Sequence, residues 1–281
     1  MTDVVADDDV LAELFANLAL EAGAAIMRVY ERDPQARAKK DASPVCDADV
    51  LGEDVILKGL ARLVPQIPVV AEELCENGTL PKVDGGPFIL VDALDGTKEF
   101  LQKRDSFTVN IALIRERAPA VGAVYAPARG ELFLAGSAAW TFAATPGSKA
   151  PPRGQWRLLR TRPMPEQNAV AVASRSHRDA ETDAFLARLP VRDVVSTGSS
   201  MKFCLVAAGE ADVYPRFGRT MEWDIAAGDA VLRRAGGMAL DLAGAPIIYG
   251  KEAQRFANEP FIAWGDPRAA ALYPARAAAG G

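Results

Sequence analysis

Asp92 and Asp95 stand three residues apart at the end of an apolar run, FILVDALDGTKEF, residues 88–100. A buried strand over residues 88–91 that runs straight into two carboxylates leaves negative charge where it costs several kcal/mol unless something positive sits between them. A hard cation removes that cost. Gly96 and Thr97 follow and open a helix, and the free N–H groups of a helix start suit a phosphate. Two other segments also place acids at the ends of apolar elements. They are VVAEE, residues 69–73, and Glu222-Trp223-Asp224, which precedes the helical run AAGDAVLRRAGG. Taken singly, each acid could be a helix cap or a loop carboxylate. Three such ends with DGT between them point to a metal site built of oxygen donors, beside a phosphate site.

The set EE, D-A-L-D-G-T-K-E-F and W-D-I-A-A-G with a trailing A-G-G resembles the motifs of the inositol monophosphatase superfamily of magnesium-dependent, lithium-sensitive phosphatases. The resemblance spans residues 40–237 and is closer to the 3'(2'),5'-bisphosphate nucleotidase branch. KEF after DGT, where inositol phosphatases tend to carry TNF, and YPR at 214–216 favour that branch. The fold implied is a five-layer αβαβα sandwich of mixed α+β and α/β character, with the site where its halves meet.

The resemblance also implies residue roles. Glu72, Asp92 and the backbone carbonyl of Leu94 would hold one Mg2+, and Asp92, Asp95 and Asp224 the other, with Asp92 bridging; Mn2+ would substitute and Li+ inhibit. Two such cations can acidify an attacking water, neutralise a phosphoryl group and stabilise the leaving oxygen. Thr97, paired with Glu72, would orient the water, so Glu72, Thr97 and Asp95 form the catalytic group. The N–H groups of Gly96 and Thr97 would bind the phosphate. Lys40, Asp41 and Asp49 would approach the metals from a charged loop. That loop departs from the usual pattern at Cys46, where Thr is common, and at Asp47, where Ala is; Ala93 stands where Pro is common.

Substrate choice is implied by three later segments, SRSH at 174–177, GSSMK at 198–202 and YPR at 214–216. Their Ser174, His177, Ser199, Lys202 and Arg216, with Asp224 beside them, would hold a nucleotide and its non-reacting phosphate. The expected substrate is adenosine 3',5'-bisphosphate, converted to AMP and phosphate, with 3'-phosphoadenylyl sulfate a further candidate; the implied role lies in sulfate assimilation and nucleotide recycling. An inositol or sugar phosphate monophosphatase shares the metal motifs. A non-catalytic nucleotide sensor would not require the water-activating pair. A haloacid dehalogenase phosphatase also uses D-x-D-G-T, but the residue two before Asp95 is Ala93. Asp92 comes one position too early, facing the other side of a strand.

The remaining composition narrows the class. Its 281 residues, 49% hydrophobic, can bury a large core, and a net charge of −5 with dispersed Lys and Arg provides no stripe for a nucleic-acid polymer. His177 is the single histidine, which removes multi-histidine metal sites and His-dependent triads elsewhere in the chain. Cys46, Cys75 and Cys204 form no CxxC pair and suit reduced thiols. The start, MTDVVADDDV, lacks the pattern of a secretory signal, and the longest uncharged stretch, 132–148, is broken by Gly, Ser, Thr and Pro. A cytoplasmic protein without a transmembrane segment is expected. Peripheral contact with the inner membrane, and monomer or homodimer, are left open.

The positioning elements follow from periodicity. Val10, Leu11, Leu14, Phe15, Leu18, Ala22 and Ile26 give a first helix an apolar face, and a second helix covers 50–63. Strands at 107–114, 120–125, 131–134 and 139–143 read as an antiparallel meander. The turn-rich stretch 145–155 divides the chain into halves, 1–155 with the EE and DGT motifs and 156–281 with the nucleotide segments and WD. The second half alternates: strand 169–173, a helix after Asp179, strand 191–196, helix 201–208, strand 211–214. Residues beyond Pro267 read as a surface helix or frayed tail.

Overall fold

The computed structural model describes residues 7–32, 36–38, 44–175 and 178–275. Lys40, Asp41, Ser176 and His177 lie outside the described residues.

Helix α1 (Asp8–Tyr30) begins where the Asp7 side chain accepts the N–H of Asp9, with two more acids in the first turn. Strands β1 (Ala36–Ala38) and β2 (Pro44–Cys46) pair antiparallel and lead into α2 (Asp47–Leu63). Next come β3 (Val69–Ala71), α3 (Glu72–Glu76), β4 (Phe88–Asp95) and α4 (Thr97–Leu101). The meander follows as β5 (Thr108–Arg115), β6 (Ala118–Ala126), β7 (Glu131–Ala135), β8 (Ala139–Ala143) and β9 (Arg157–Leu158). Strands β3 to β9 form one seven-stranded sheet in sequence order, antiparallel except for the parallel pair β3 and β4.

The second half adds β10 (Ala169–Ser174), α5 (Ala180–Leu186), β11 (Val191–Thr197), α6 (Met201–Ala207), β12 (Val213–Arg216), β13 (Thr220–Met221) and α7 (Glu222–Ala235). It closes with β14 (Met238–Asp241), β15 (Ala257–Asn258), β16 (Phe261–Trp264) and α8 (Ala269–Leu272). Its sheet runs β11-β10-β12-β16-β14, and β13 and β15 make a separate two-stranded pair. The alternation expected at 169–214 is there, but β14 and β16 extend the sheet beyond it.

Side-chain alternation on the two sheets sets the layers. One face of the seven-stranded sheet, with Ile89, Val91, Ile111 and Val121, packs on α1 and α2 through Phe15, Leu18, Ile26, Ile56 and Leu60. Its other face, with Leu90, Ala112, Val124 and Phe133, meets Phe203 and Val206 of α6 and Ala227, Ala230 and Val231 of α7. The same helices cover Val172, Tyr214 and Ala263 of the five-stranded sheet. The outer face of that sheet, with Val213, Ile262 and Trp264, receives Phe185 of α5 and Ala269 of α8. The result is the αβαβα sandwich expected from the motifs. α1 is the one helix among the described residues with the length and hydropathy, 1.6, to cross a membrane; its Leu11, Phe15, Leu18 and Ile26 are buried in this core instead.

Candidate active site

Parallel pairing of β3 with β4 aligns Val69 with Ile89 and Ala71 with Val91, so Glu72, where β3 gives way to α3, comes level with Asp92 of β4. The strand does not stop at residue 91 as the sequence pattern suggests. It continues to Asp95 through an irregularity opposite β5, in which Asp92 faces Asn110 and Asp95 faces Thr108. Residues three apart on a regular strand face opposite ways; this bulge brings Asp92 and Asp95 to one cavity. Asp224 arrives from the far side on the first turn of α7. That helix begins at Glu222 and so includes the WD pair expected to precede it.

One carboxylate oxygen each from Glu72, Asp92 and Asp224 lies within 4.8 Å of the others. Asp92 is only 2% exposed, and burial, then Glu72, Asp95 and Asp224, push its carboxyl well above the ordinary carboxylate range. Burial and Asp224 raise Asp95 to about 7, against the pull of Lys202 and the N–H of Ser200. Four acids crowded in this way are stable as anions only beside positive charge. The donors are all oxygen, which fits a hard divalent cation. The backbone fixes two of the donors: the N–H of Leu94 reaches Asp92 Oδ1 at 3.0 Å and that of Met221 reaches Asp224 Oδ2 at 2.8 Å.

The hydroxyl of Thr97 donates to Asp49 Oδ1 at 3.1 Å, and more weakly to the Leu94 carbonyl at 3.4 Å, a carboxylate partner that the sequence reading did not assign. The cause lies in α2. Asp49 is in the first turn, where its other oxygen takes the N–H of Cys46 at 2.8 Å in a capping box, and this aims the carboxylate at the start of α4. Gly96, with φ of +93°, makes the left-handed turn that starts α4 at Thr97.

The cavity among these groups is about 220 Å³ and is lined by Glu72, Asp92, Asp95, Gly96, Thr97, Glu99, Ser174, Gly198, Ser199 and Asp224, among others. Gly198 allows the second half to close on the first: a Cβ there would lie 2.6 Å from the Ser106 carbonyl and 2.8 Å from Glu99 Cγ. Ser200 Oγ donates to the Asp224 carbonyl at 2.7 Å and ties the starts of α6 and α7 together. Ser199 Oγ is buried and has no hydrogen-bond partner among the described residues.

Lys202 and Arg216 sit behind the cavity wall rather than on it. Lys202 is 5% exposed, lies over the Tyr214 ring at 5.3 Å and donates to the Ser199 carbonyl. Burial, aided by Arg216, lowers its pKa to about 8, with Asp95 opposing. Arg216 donates to the carbonyls of Gly218 and Arg219 at 3.1 and 3.0 Å. A second cavity of about 700 Å³ shares Glu72 and Asp224 with the first and is framed by Cys75, Leu80, Arg219, Met221, Trp223 and Arg255.

Sequence reasoning missed Asn110, whose amide reaches Asp95 Oδ2 at 3.5 Å, and Glu53, which holds the start of α3. Glu53 had a visible signal: it lies one helical turn after Asp49 on α2.

A five-layer sandwich whose inner edge gathers carboxylates from both halves around a helix start is the architecture of a metal-dependent phosphatase. The chain belongs to the inositol monophosphatase family, whose sequence profile matches residues 7–274. It is 42% identical over 235 residues to the 3'(2'),5'-bisphosphate nucleotidase CysQ of Escherichia coli K12, covering 83% of this chain and 91% of that one. The crystal structure of CysQ from Bacteroides thetaiotaomicron superposes with a TM-score of 0.77 at 34% identity, covering 91% of this chain and 97% of that one. An inositol monophosphatase from Anabaena shares the fold, with a TM-score of 0.73 at 23% identity and 95% of each chain covered.

Proposed function

We propose that this protein is a magnesium-dependent 3'(2'),5'-bisphosphate nucleotidase that hydrolyses the 3'-phosphate of adenosine 3',5'-bisphosphate to give AMP and phosphate. The observation that carries this reading is the convergence of Glu72, Asp92 and Asp224 within 4.8 Å beside the Thr97–Asp49 pair. Identity above 40% to relatives named for that activity supports the substrate class.

Glu72, Asp92, Asp95, Asp224 and the Leu94 carbonyl would hold the magnesium, with manganese a substitute and lithium an inhibitor. Bound there, the metal would neutralise phosphoryl oxygens and make a water more acidic. The protein's own groups do the rest. Asp49 accepts the Thr97 hydroxyl proton, which leaves Thr97 Oγ1 with lone pairs for the proton of an attacking water. Glu72, on the same cavity, takes the one proton the water loses as its oxygen bonds to phosphorus and the bond to the 3'-oxygen breaks, and the departing 3'-oxygen draws a proton from solvent. The N–H groups of Gly96 and Thr97 bind the phosphate at the start of α4. Ser174, His177 and Ser199 contact the nucleotide, and Lys202 and Arg216 supply positive charge for its second phosphate. The half 1–155 thus supplies Glu72, Asp92, Asp95 and the N–H groups for the reacting phosphate, and the half 156–281 supplies Asp224 and the nucleotide contacts.

The same reading extends to 3'-phosphoadenylyl sulfate and to a cytoplasmic role in sulfate assimilation. Adenosine bisphosphate, inositol 1-phosphate and fructose 1,6-bisphosphate, each assayed with and without Mg2+ and with added Li+, test it. Magnesium-dependent, lithium-inhibited preference for the nucleotide is expected. Preference for the inositol ester would make the chain an inositol monophosphatase, and binding without phosphate release would make it a sensor.

A further inference from the structure

We propose that Glu53 is a positioning residue for the metal site, setting Glu72 by capping the short helix that carries it. The inference rests on the reading of Glu72 as a metal ligand. α3 begins at Glu72 and is five residues long, too short to hold its shape unaided. Its N-cap is Ala71, extended at φ −121° and ψ 145°, the right conformation for a cap but with no side chain to provide one. The N–H groups of Glu73 and Leu74 are those a cap would satisfy.

Glu53 satisfies both from α2. Its Oε2 accepts the N–H of Glu73 at 2.8 Å, and its Oε1 that of Leu74 at 3.0 Å. The carboxylate is 4% exposed and lies on the positive end of the helix, where an anion is favoured. Glu53 therefore fixes the backbone one residue beyond Glu72. Asp49, four residues earlier and on the same face of α2, fixes Thr97. One helix face in the first half thus sets the metal ligand and the water-orienting hydroxyl relative to each other.

The test measures Mg2+ binding to the metal-free full chain by calorimetry, alongside its melting temperature. Glu53→Gln, which cannot accept from both N–H groups, should weaken Mg2+ binding roughly tenfold to a hundredfold, as loss of a ligand's support does elsewhere. Adding Ala71→Ser supplies the missing cap and should recover part of that loss. If Glu53→Gln does not fold, Glu53→Asp, which withdraws the charge by one methylene, is read in the same way. A folded variant with a lower melting temperature and Mg2+ affinity within twofold of the parent's would overturn the inference, since Glu53 would then hold only the fold. Failure of the parent itself to bind Mg2+ would defeat the metal reading first, and this inference with it.

Discussion

Thr97 donates its hydroxyl proton to Asp49, 3.1 Å away and 48 residues earlier in the chain. This bond crosses from α4 to α2 and leaves the Thr97 oxygen oriented toward the cavity that holds the acids. Thr97→Ala and Asp49→Asn should each lower kcat by roughly a hundredfold to ten-thousandfold, with KM changed far less, since a water is misoriented while phosphate contacts remain. Steady-state kinetics on adenosine 3',5'-bisphosphate check this. A loss confined to KM would place the pair in substrate binding instead.

The crowded acids make a second prediction, about stability. Asp95 is raised to about 7 in the fold from an ordinary 3.8, chiefly by burial, and burial and its acidic neighbours also raise Asp92. The folded state therefore binds more protons than the unfolded state between these values, and their contribution to stability falls as pH rises from about 4 to about 7. Asp95→Asn should remove Asp95's part of that decline. At pH 8 the metal-free variant should be more stable than the parent by about 1 to 3 kcal/mol, while losing activity. Chemical denaturation of both proteins in chelator at pH 5 and pH 8 measures the difference. Equal slopes with pH would mean that another charge already compensates the cluster.

Much of this site was legible because its acids sit at the ends of apolar runs, and such ends are visible in a linear pattern. Strand 88–91 and the meander follow from local periodicity and the helix start from Gly96 and Thr97 themselves, while the continuation of the strand to Asp95 does not. What the pattern could not supply was pairing across distance. The partner of Thr97 depends on how α2 is aimed, which Cys46 and Asp49 decide together. The expected strand at 211–214 ends before Pro215, whereas β12 runs Val213–Arg216 in the middle of its sheet. β10 pairs with β12 only at Val213, whereas β16 pairs with it from Val213 through Arg216, with Pro215 opposite Ile262. Strands β14 and β16 were missed because each is only four residues long and lies among turn residues.

Gly198 gives a third prediction. A Cβ at this position would sit 2.6 Å from the Ser106 carbonyl, a backbone atom that cannot swing away as a side chain can. Gly198→Ala should destabilise the fold by about 1 to 3 kcal/mol and displace Ser199 and Ser200 at the start of α6. Because Ser200 also holds the Asp224 carbonyl, the damage should extend to the second metal ligand set. Thermal melts and Mg2+ titration of the variant should therefore shift together. A full drop in melting temperature with unchanged Mg2+ response would show that the two halves are coupled only through packing.

Lys202 and Arg216 provide the last prediction, and the geometry separates them. If they supply charge to the substrate's second phosphate, each charge-assisted interaction should contribute roughly 1.5 to 3 kcal/mol, about tenfold to a hundredfold in affinity. Arg216→Ala should therefore raise KM for adenosine 3',5'-bisphosphate by that factor and barely alter hydrolysis of a one-phosphate ester, which has nothing to place there. Lys202 has a second role, because its ammonium also opposes the raised pKa of Asp95. Lys202→Ala should raise KM for the bisphosphate and, by removing a positive charge that repels the metal, lower the Mg2+ concentration needed for half-activation with either substrate. Parallel kinetics on the two substrates across a Mg2+ series distinguish these effects. A uniform loss for Arg216→Ala would assign its guanidinium to bracing the Gly218 and Arg219 carbonyls, and the choice of a nucleotide over an inositol ester would then depend on the serines at 174 and 199.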